Sequence, residues 1–124
     1  MNKWLILAVG GISGTFARYL AAIGVASIAG SGFPYGTLVV NLSACLLIGM
    51  FDGMTQARGA LGPESRLLLM TGFCGAYSTF STWMLETSNL MADGETAAAL
   101  GNVVGSVALG FLLFRLGAYL GARI

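Results

Sequence analysis

Histidine is absent from this chain, and cysteine occurs only as Cys45 and Cys74. Both cysteines lie in apolar segments with no imidazole or further thiol beside them, which argues against a metal centre and against a disulfide. Charge is scarce: Asp, Glu, Lys and Arg make up 9% of the residues, where a soluble domain carries about a quarter. A net charge of +1 offers nucleic acid no basic patch and an acidic partner no target. There is no Walker loop, no paired carboxylate and no Ser/His/Asp set. Asp52, Glu64, Asp93 and Glu95 fall toward segment ends. Only Glu86 is placed inside an apolar segment, and its role stays open. That is thin equipment for catalysis or proton coupling, and the chain reads as a non-enzyme.

Apolar side chains are what the sequence has in abundance, 56% of the total. This is the composition of an integral, multi-pass membrane protein, expected as a single domain over residues 1–124. The Met1-Asn2-Lys3-Trp4 start resembles a signal peptide briefly, but the apolar run outlasts a signal core and meets no small-residue cleavage pattern. Four apolar segments are predicted, at about 3 to 23 or 28, 37–54, 66–91 and 96–120. Phe33-Pro34-Tyr35-Gly36 introduces the second. A polar link at 56–64 carries Gly59, Gly62 and Pro63, and a short turn occupies 92–95. An even number of spans puts both termini on one side. Lys3, Arg58, Arg66, Arg115 and Arg123 fall on that side and Arg18 nearer the other, so the termini are expected in the cytoplasm.

The third segment is unlike the others. Residues 72–83 read Gly-Phe-Cys-Gly-Ala-Tyr-Ser-Thr-Phe-Ser-Thr-Trp. A lipid-facing helix does not hold glycines and a cluster of hydroxyls at mid-depth, so backbone released there is expected inside protein or along a wet pathway. Broken helices at mid-membrane are a recurring way to build ion sites. The half-helix before the break is expected to end near Gly75, where free carbonyls attract a cation. The half after it is expected to start near Ser78 or Thr79, whose hydroxyls are good N-caps, and its N–H groups favour an anion.

Other polar residues fit a pathway. Thr37 and Asn41 share a helix face, as do Asn102 and Ser106. Interhelical hydrogen bonding is the plainer explanation of such pairs, at about 0.6 kcal/mol each on average. Two stripes beside a hydroxyl-rich break favour a neutral lining that an ion can enter and leave. Phe80 and Trp83 are three apart on one face. Core packing is the ordinary role of such a pair, but beside a polar break their positive ring edges suit a small hard anion. Arg18 at membrane depth costs about 2.5 to 3.5 kcal/mol on insertion scales. It either snorkels to the interface or forms a positive vestibule or inter-subunit anchor. Glycines spaced by four, at Gly10-Gly14, Gly49-Gly53, Gly101-Gly105 and Gly117-Gly121, read mostly as tight helix packing. Four tightly packed helices leave little room for a pore within one subunit, so an oligomer is expected, most simply a two-fold dimer.

Three stretches, taken in order along a four-span chain, resemble the Fluc (CrcB) family of bacterial fluoride channels. They are Gly10-Gly11-Ile12-Ser13-Gly14 with Ala17-Arg18-Tyr19; Gly36-Thr37-Leu38-Val39-Val40-Asn41; and Gly72-Phe73-Cys74-Gly75 through Ser78-Thr79-Phe80-Ser81-Thr82, with Glu86 after them. The resemblance implies an all-α fold of four transmembrane helices with a broken third helix, assembled as an antiparallel dual-topology dimer in the bacterial inner membrane. It implies two fluoride pathways along the subunit interface and passive fluoride export from the cytoplasm. It also implies a structural sodium ion (Na+) held at the dimer centre by the backbone carbonyls of Gly75 and Ser78. Asn41, Phe80 and Trp83 match pathway positions, and Thr37, Ser81, Thr82 and Ser106 match a polar track. Arg18 matches the first-helix arginine. Trp83 stands where better-known members have a second pore phenylalanine, and Asn102 stands where some have a tyrosine. The one-sided basic residues leave open a homodimer or a heterodimer with an inverted partner subunit. The alternative is a small dual-topology multidrug-type transporter, which would need an acid in the first helix where this chain has Arg18. A structural membrane protein without transport would not need the break.

Overall fold

The computed structural model describes residues 1–124 and is helical, without strands. Helix α1 (Lys3–Ala29) starts where the Asn2 side chain accepts the Trp4 N–H at 3.0 Å, satisfying an end donor that the helix cannot. It stops at Gly30, whose φ of 81° suits a residue without Cβ. Helix α2 (Tyr35–Arg58) follows Pro34 and ends at left-handed Gly59. Pro63 then opens a continuous helical run at the position where its missing N–H is not needed. The run consists of α3 (Pro63–Arg66), a π-helical stretch (Leu67–Cys74) and α4 (Gly75–Tyr77). Ser78 and Thr79 leave helical dihedrals, with ψ of 158° and 116°. Helix α5 (Phe80–Ala92) follows, then a turn through Asp93 and Gly94, then α6 (Thr96–Gly121).

Three helices, α1, α2 and α6, are long and apolar enough to cross a bilayer. The third segment, expected to be broken, is divided at Ser78 and Thr79 into the helical run from Pro63 to Tyr77 and the 13-residue α5. Two boundaries shift from expectation. Helix α2 runs past Gln56 to Arg58 because Gly59 is the first residue there that favours a left-handed stop, so the polar link shortens. Helix α1 runs to Ala29, which leaves Arg18 about three turns from its end rather than one or two.

Glycines set the helix pairs. A Cβ on Gly10 or Gly14 would strike backbone of the π-helical stretch at Leu68, Gly72 and Phe73. A Cβ on Gly49 or Gly53 would strike Phe114 and Ala118, and one on Gly117 or Gly121 would strike Leu46 and Met50. Numbers rise together in both pairings, so α1 runs parallel to the π-helical stretch and α2 parallel to α6. The Gly101-Gly105 pair is different: a Cβ at either meets nothing within 4 Å. That pair packs against nothing within the chain.

Only 21 of 124 residues are buried, too few for a soluble core. Val40, Ala44 and Tyr77 form the buried apolar cluster, edged by Ala17, Ala21 and Phe73. Ile12, Phe16, Leu100, Val104 and Phe111 are exposed, as a lipid or protein partner would require. Arg58 donates to the Ile124 carbonyl at 3.1 Å, and the Met1 amine pairs with Glu64 at 2.6 Å. Both termini and the link after α2 therefore share one end of the bundle.

Candidate functional site

Where the chain leaves helical geometry, Asn41 takes over the missing bonds. Thr79 N–H donates to Asn41 Oδ1 at 2.8 Å, and Asn41 Nδ2 donates to the Thr79 carbonyl at 3.0 Å. One amide side chain thus partners both the backbone N–H and the C=O of Thr79, which would otherwise be a costly pair of orphans. Thr79 also caps α5: its Oγ1 accepts the Thr82 N–H at 3.3 Å and donates to Thr82 Oγ1 at 3.1 Å. The cap is Thr79 and not Ser78, and α4 continues to Tyr77, beyond the expected end near Gly75. Tyr77 fastens this corner to α2 through a 2.8 Å bond between its hydroxyl and that of Ser43, and stacks on Phe73 with centroids 5.6 Å apart.

Cavities flank the extended residues. The largest, about 420 Å³, opens between the α1–α2 turn and the far end of α5 and is lined by Thr37, Glu86 and Asp93 among others. A second, about 230 Å³, is lined by Thr15, Arg18, Tyr19, Thr37, Thr79 and Thr82. A third, about 330 Å³, is lined by Asn41, Cys45, Ser78, Phe80, Trp83 and Ser106 with Thr79 and Val107. Thr37 lines the first and second, and Thr79 the second and third. The two inner cavities contain no acidic side chain, and Arg18 is the one full charge among their lining residues. Arg18 makes no ion pair or hydrogen bond to the rest of the chain, since the only salt bridge is the Met1–Glu64 pair. With α1 extending well beyond it, snorkelling out along its own helix is a poor account of this arginine.

The pathway residues named from sequence divide in three. Thr37 and Thr82 meet at the arginine cavity, while Asn41, Phe80, Trp83 and Ser106 meet at the inner one. Ser81 lines neither and lies exposed beside Phe80. Phe80 is 71% exposed, so packing within the chain does not explain it. Its ring lies 5.3 Å from that of Trp83 at 60°. Asn102 belongs to a different set. It is buried, and its Nδ2 donates to Thr87 Oγ1 at 2.9 Å, while Thr87 donates to the Trp83 carbonyl at 2.7 Å. The interhelical bond is the reading that holds for Asn102. Thr37 spends its hydroxyl proton on Glu86 Oε1 at 2.8 Å, so toward an ion it has only lone pairs left to offer. Thr79 was expected as a helix cap and nothing more, and Tyr77, Ser43 and Thr87 were missed as site-forming residues; the one sequence signal was the Tyr77 hydroxyl beside the break.

A cation's needs can be checked against the same corner. No N–H or side chain donates to the Ser78 carbonyl, and the Thr79 N–H, ordinary helical partner of the Gly75 carbonyl, goes to Asn41. No cluster of three His, Cys, Asp or Glu exists in the chain. The available donors are neutral backbone oxygens, which fit an alkali cation and not a transition metal. Gly75 is exposed on the surface of the chain.

Comparison with known proteins bears on all of this. The family described as CrcB-like protein, Camphor Resistance (CrcB), matches residues 5–118. A protein of Maridesulfovibrio salexigens named fluoride-specific ion channel FluC is 41% identical over 124 residues, covering 100% of this chain and 98% of that one. Proteins of the same name from Chlorobaculum tepidum and Chlorobium phaeobacteroides are 47% identical over 110 residues and 45% over 107. Those alignments cover 89% and 83% of this chain and 86% and 83% of the relatives. The helices and these relatives together make the chain a multi-pass membrane protein and not an enzyme.

Proposed function

The chain belongs to the CrcB family, and from that premise we propose that it is a fluoride-selective channel exporting fluoride from the bacterial cytoplasm across the inner membrane. The observation that carries the reading is the Asn41–Thr79 clamp. It stabilises extended backbone beside a cavity whose lining is amide, hydroxyl and aromatic edge. Groups of that kind solvate an anion without binding it too tightly to leave. Arg18 raises the local concentration of anions at the adjoining cavity. Asn41 has one amide proton beyond the bond to Thr79, and Ser106, whose hydroxyl reaches Asn102 Oδ1 only at 3.5 Å, lines the same cavity. Phe80 turns an exposed ring toward whatever covers this face.

The assembly is a dimer with the two chains inverted, a homodimer or a pair with an inverted partner subunit. The exposed Phe80, Ser81 and Gly75 then meet the partner, and the divided segment acts as a broken membrane-spanning helix. The Gly75 and Ser78 carbonyls of both chains would hold a structural sodium ion at the centre. That ion supplies fixed positive charge and ties the subunits together. Everything else on the pathway is done by the chain's own side chains.

A passive route suffices for the task. Hydrogen fluoride enters cells as the neutral acid and dissociates, trapping the anion. An interior-negative potential of about 100 mV is worth about 2.3 kcal/mol per charge, which drives the anion out against a roughly 40-fold gradient. The multidrug-transporter alternative lacks its first-helix acid. Fluoride efflux from potassium-loaded liposomes containing the purified chain, with valinomycin present to carry the balancing charge, tests the proposal. Rapid fluoride release with chloride retained is expected; release of both anions at similar rates, or of neither, would contradict it.

A further inference from the structure

Tyr77 is the last helical residue before the chain turns extended at Ser78 and Thr79. Its buried ring packs on Val40 and Ala44 of α2 and stacks on Phe73. Packing of that kind asks only for an apolar ring. The hydroxyl is an addition, and it reaches Ser43 Oγ on α2 at 2.8 Å. Ser43 Oγ spends its one proton on the Val40 carbonyl at 3.0 Å, so the phenol is the donor in the pair.

Ser78 therefore lies between two residues tied to the same helix. On one side Tyr77 is tied to Ser43, and on the other Thr79 exchanges two bonds with Asn41. The N–H and the hydroxyl of Ser78 both donate to the Cys74 carbonyl, at 3.1 and 3.0 Å. The Ser78 carbonyl accepts nothing. Its direction is fixed all the same. It shares a peptide plane with the Thr79 N–H, and in a trans peptide the two point opposite ways. Asn41 takes that N–H, so the Ser78 oxygen faces away from Asn41. Asn41 sets where the oxygen points, and the Tyr77–Ser43 bond sets where the chain carrying it stands.

We propose that Tyr77 and Ser43 are positioning residues for a sodium ion at the Ser78 carbonyl, holding that oxygen in place before the ion arrives. The inference rests on the sodium reading given above and deepens it; the two residues act through Ser78 and not by contact with the ion. A carbonyl that is free to swing must be ordered at the expense of binding, whereas one pinned on both flanks is ordered already. Sites of this kind need their ligands held to about 0.5 Å, which one hydroxyl pair beside the ligand can supply.

Thermal unfolding of the purified channel tests this without measuring flux. Sodium chloride replaces N-methylglucamine chloride at constant chloride, and the melting temperature is followed as sodium rises. The unmodified channel is expected to gain stability from sodium along a saturating curve. Tyr77→Phe keeps the ring and removes only the hydroxyl, and its half-saturating sodium concentration is expected to rise about threefold to tenfold. Ser43→Ala is expected to match it, and the double variant to go no further, because all three lose the same bond. Ser43→Thr keeps a hydroxyl on α2 and is expected to stay at the unmodified value. A bond that merely stabilised the fold would lower the melting temperature equally at every sodium concentration and leave half-saturation where it was. That result, in Tyr77→Phe or in Ser43→Ala should the first not fold, overturns the inference and leaves the sodium reading standing. An unmodified channel indifferent to sodium brings down the sodium reading itself, and the inference with it.

Discussion

Helices α2 and α6 run side by side, and their two halves do opposite things. Toward the end that holds both termini, Gly49 and Gly53 lie against the backbone of Phe114 and Ala118, and Gly117 and Gly121 against that of Leu46 and Met50, so closely that no Cβ fits. Toward the other end the same two helices present Asn41, Cys45 and Ser106 to a cavity of about 330 Å³. The change comes at Gly110, where an added Cβ would sit 3.3 Å from Cys45 Sγ. Dry backbone contact in one half fixes the spacing of the helices, and polar side chains use the gap in the other. In lipid there is little hydrophobic drive between helices, so close backbone packing has to supply the attachment. A cavity is tolerable in the upper half because the lower half is closed.

The comparison breaks most severely at the seam. Gly53→Val and Gly117→Val should abolish a monodisperse dimer on size exclusion and all fluoride flux, because the side chains would meet backbone and not flexible side-chain ends. Gly105→Ala in the upper half, with open space around it, should change thermal stability by no more than about 0.5 kcal/mol. If the two halves responded alike, the contrast drawn between them would be wrong.

Next in size is the clamp. Asn41→Ala leaves the Thr79 N–H and C=O unpaired, at a cost of about 1 to 3 kcal/mol in stability. Fluoride flux should fall by more than the loss of folded protein explains, measured per mole of folded dimer. Retention of full flux per dimer would remove Asn41 from the account.

Phe80→Ile separates packing from conduction. The ring is largely exposed within the chain, so the dimer should stay folded, with at most about 1.5 kcal/mol lost, while fluoride efflux collapses. Undiminished efflux through a well-folded Phe80→Ile dimer would refute the pore role of that ring. Among the variants that touch the pathway, the smallest effect is expected from Arg18→Gln. Flux should drop several-fold at low ionic strength and converge on the unmodified channel as salt is raised, since long-range attraction is screened within about 10 Å at 0.1 M. A salt-independent loss would point to a structural anchor instead.

Much of this arrangement can be read from the amino acids, because it is local. Apolar runs separated by the Phe33–Gly36 turn, the link with Gly59, Gly62 and Pro63 and the turn at 92–95 predict the long helices, and the hydroxyls after Tyr77 predict where helical pairing gives way. What was not legible depends on partners distant in the chain. That Asn41 bonds to Thr79, or that Asn102 reaches Thr87, follows from how α2, α5 and α6 are set against one another. Spacing by four could not tell these two asparagines apart, and only one of them lines a cavity. The same limit applied to glycine: Gly49-Gly53 and Gly101-Gly105 look alike in sequence, yet only the first pair has a helix against it. Arg18 was set too shallow because the first helix was allowed to end at Ile23 or Ile28, when no residue before Gly30 stops it.

The claim beneath these contrasts is that the polar half forms a passive, electrogenic route for fluoride. Liposomes loaded with potassium fluoride, containing the purified chain and diluted into fluoride-free buffer, measure it directly. A uniporting channel can release little fluoride until valinomycin lets potassium follow, because the membrane charges and holds the anion back. A burst of fluoride on adding valinomycin, absent from protein-free liposomes, is the predicted result. Fluoride release that is complete before valinomycin is added would mean electroneutral exchange and would contradict the channel.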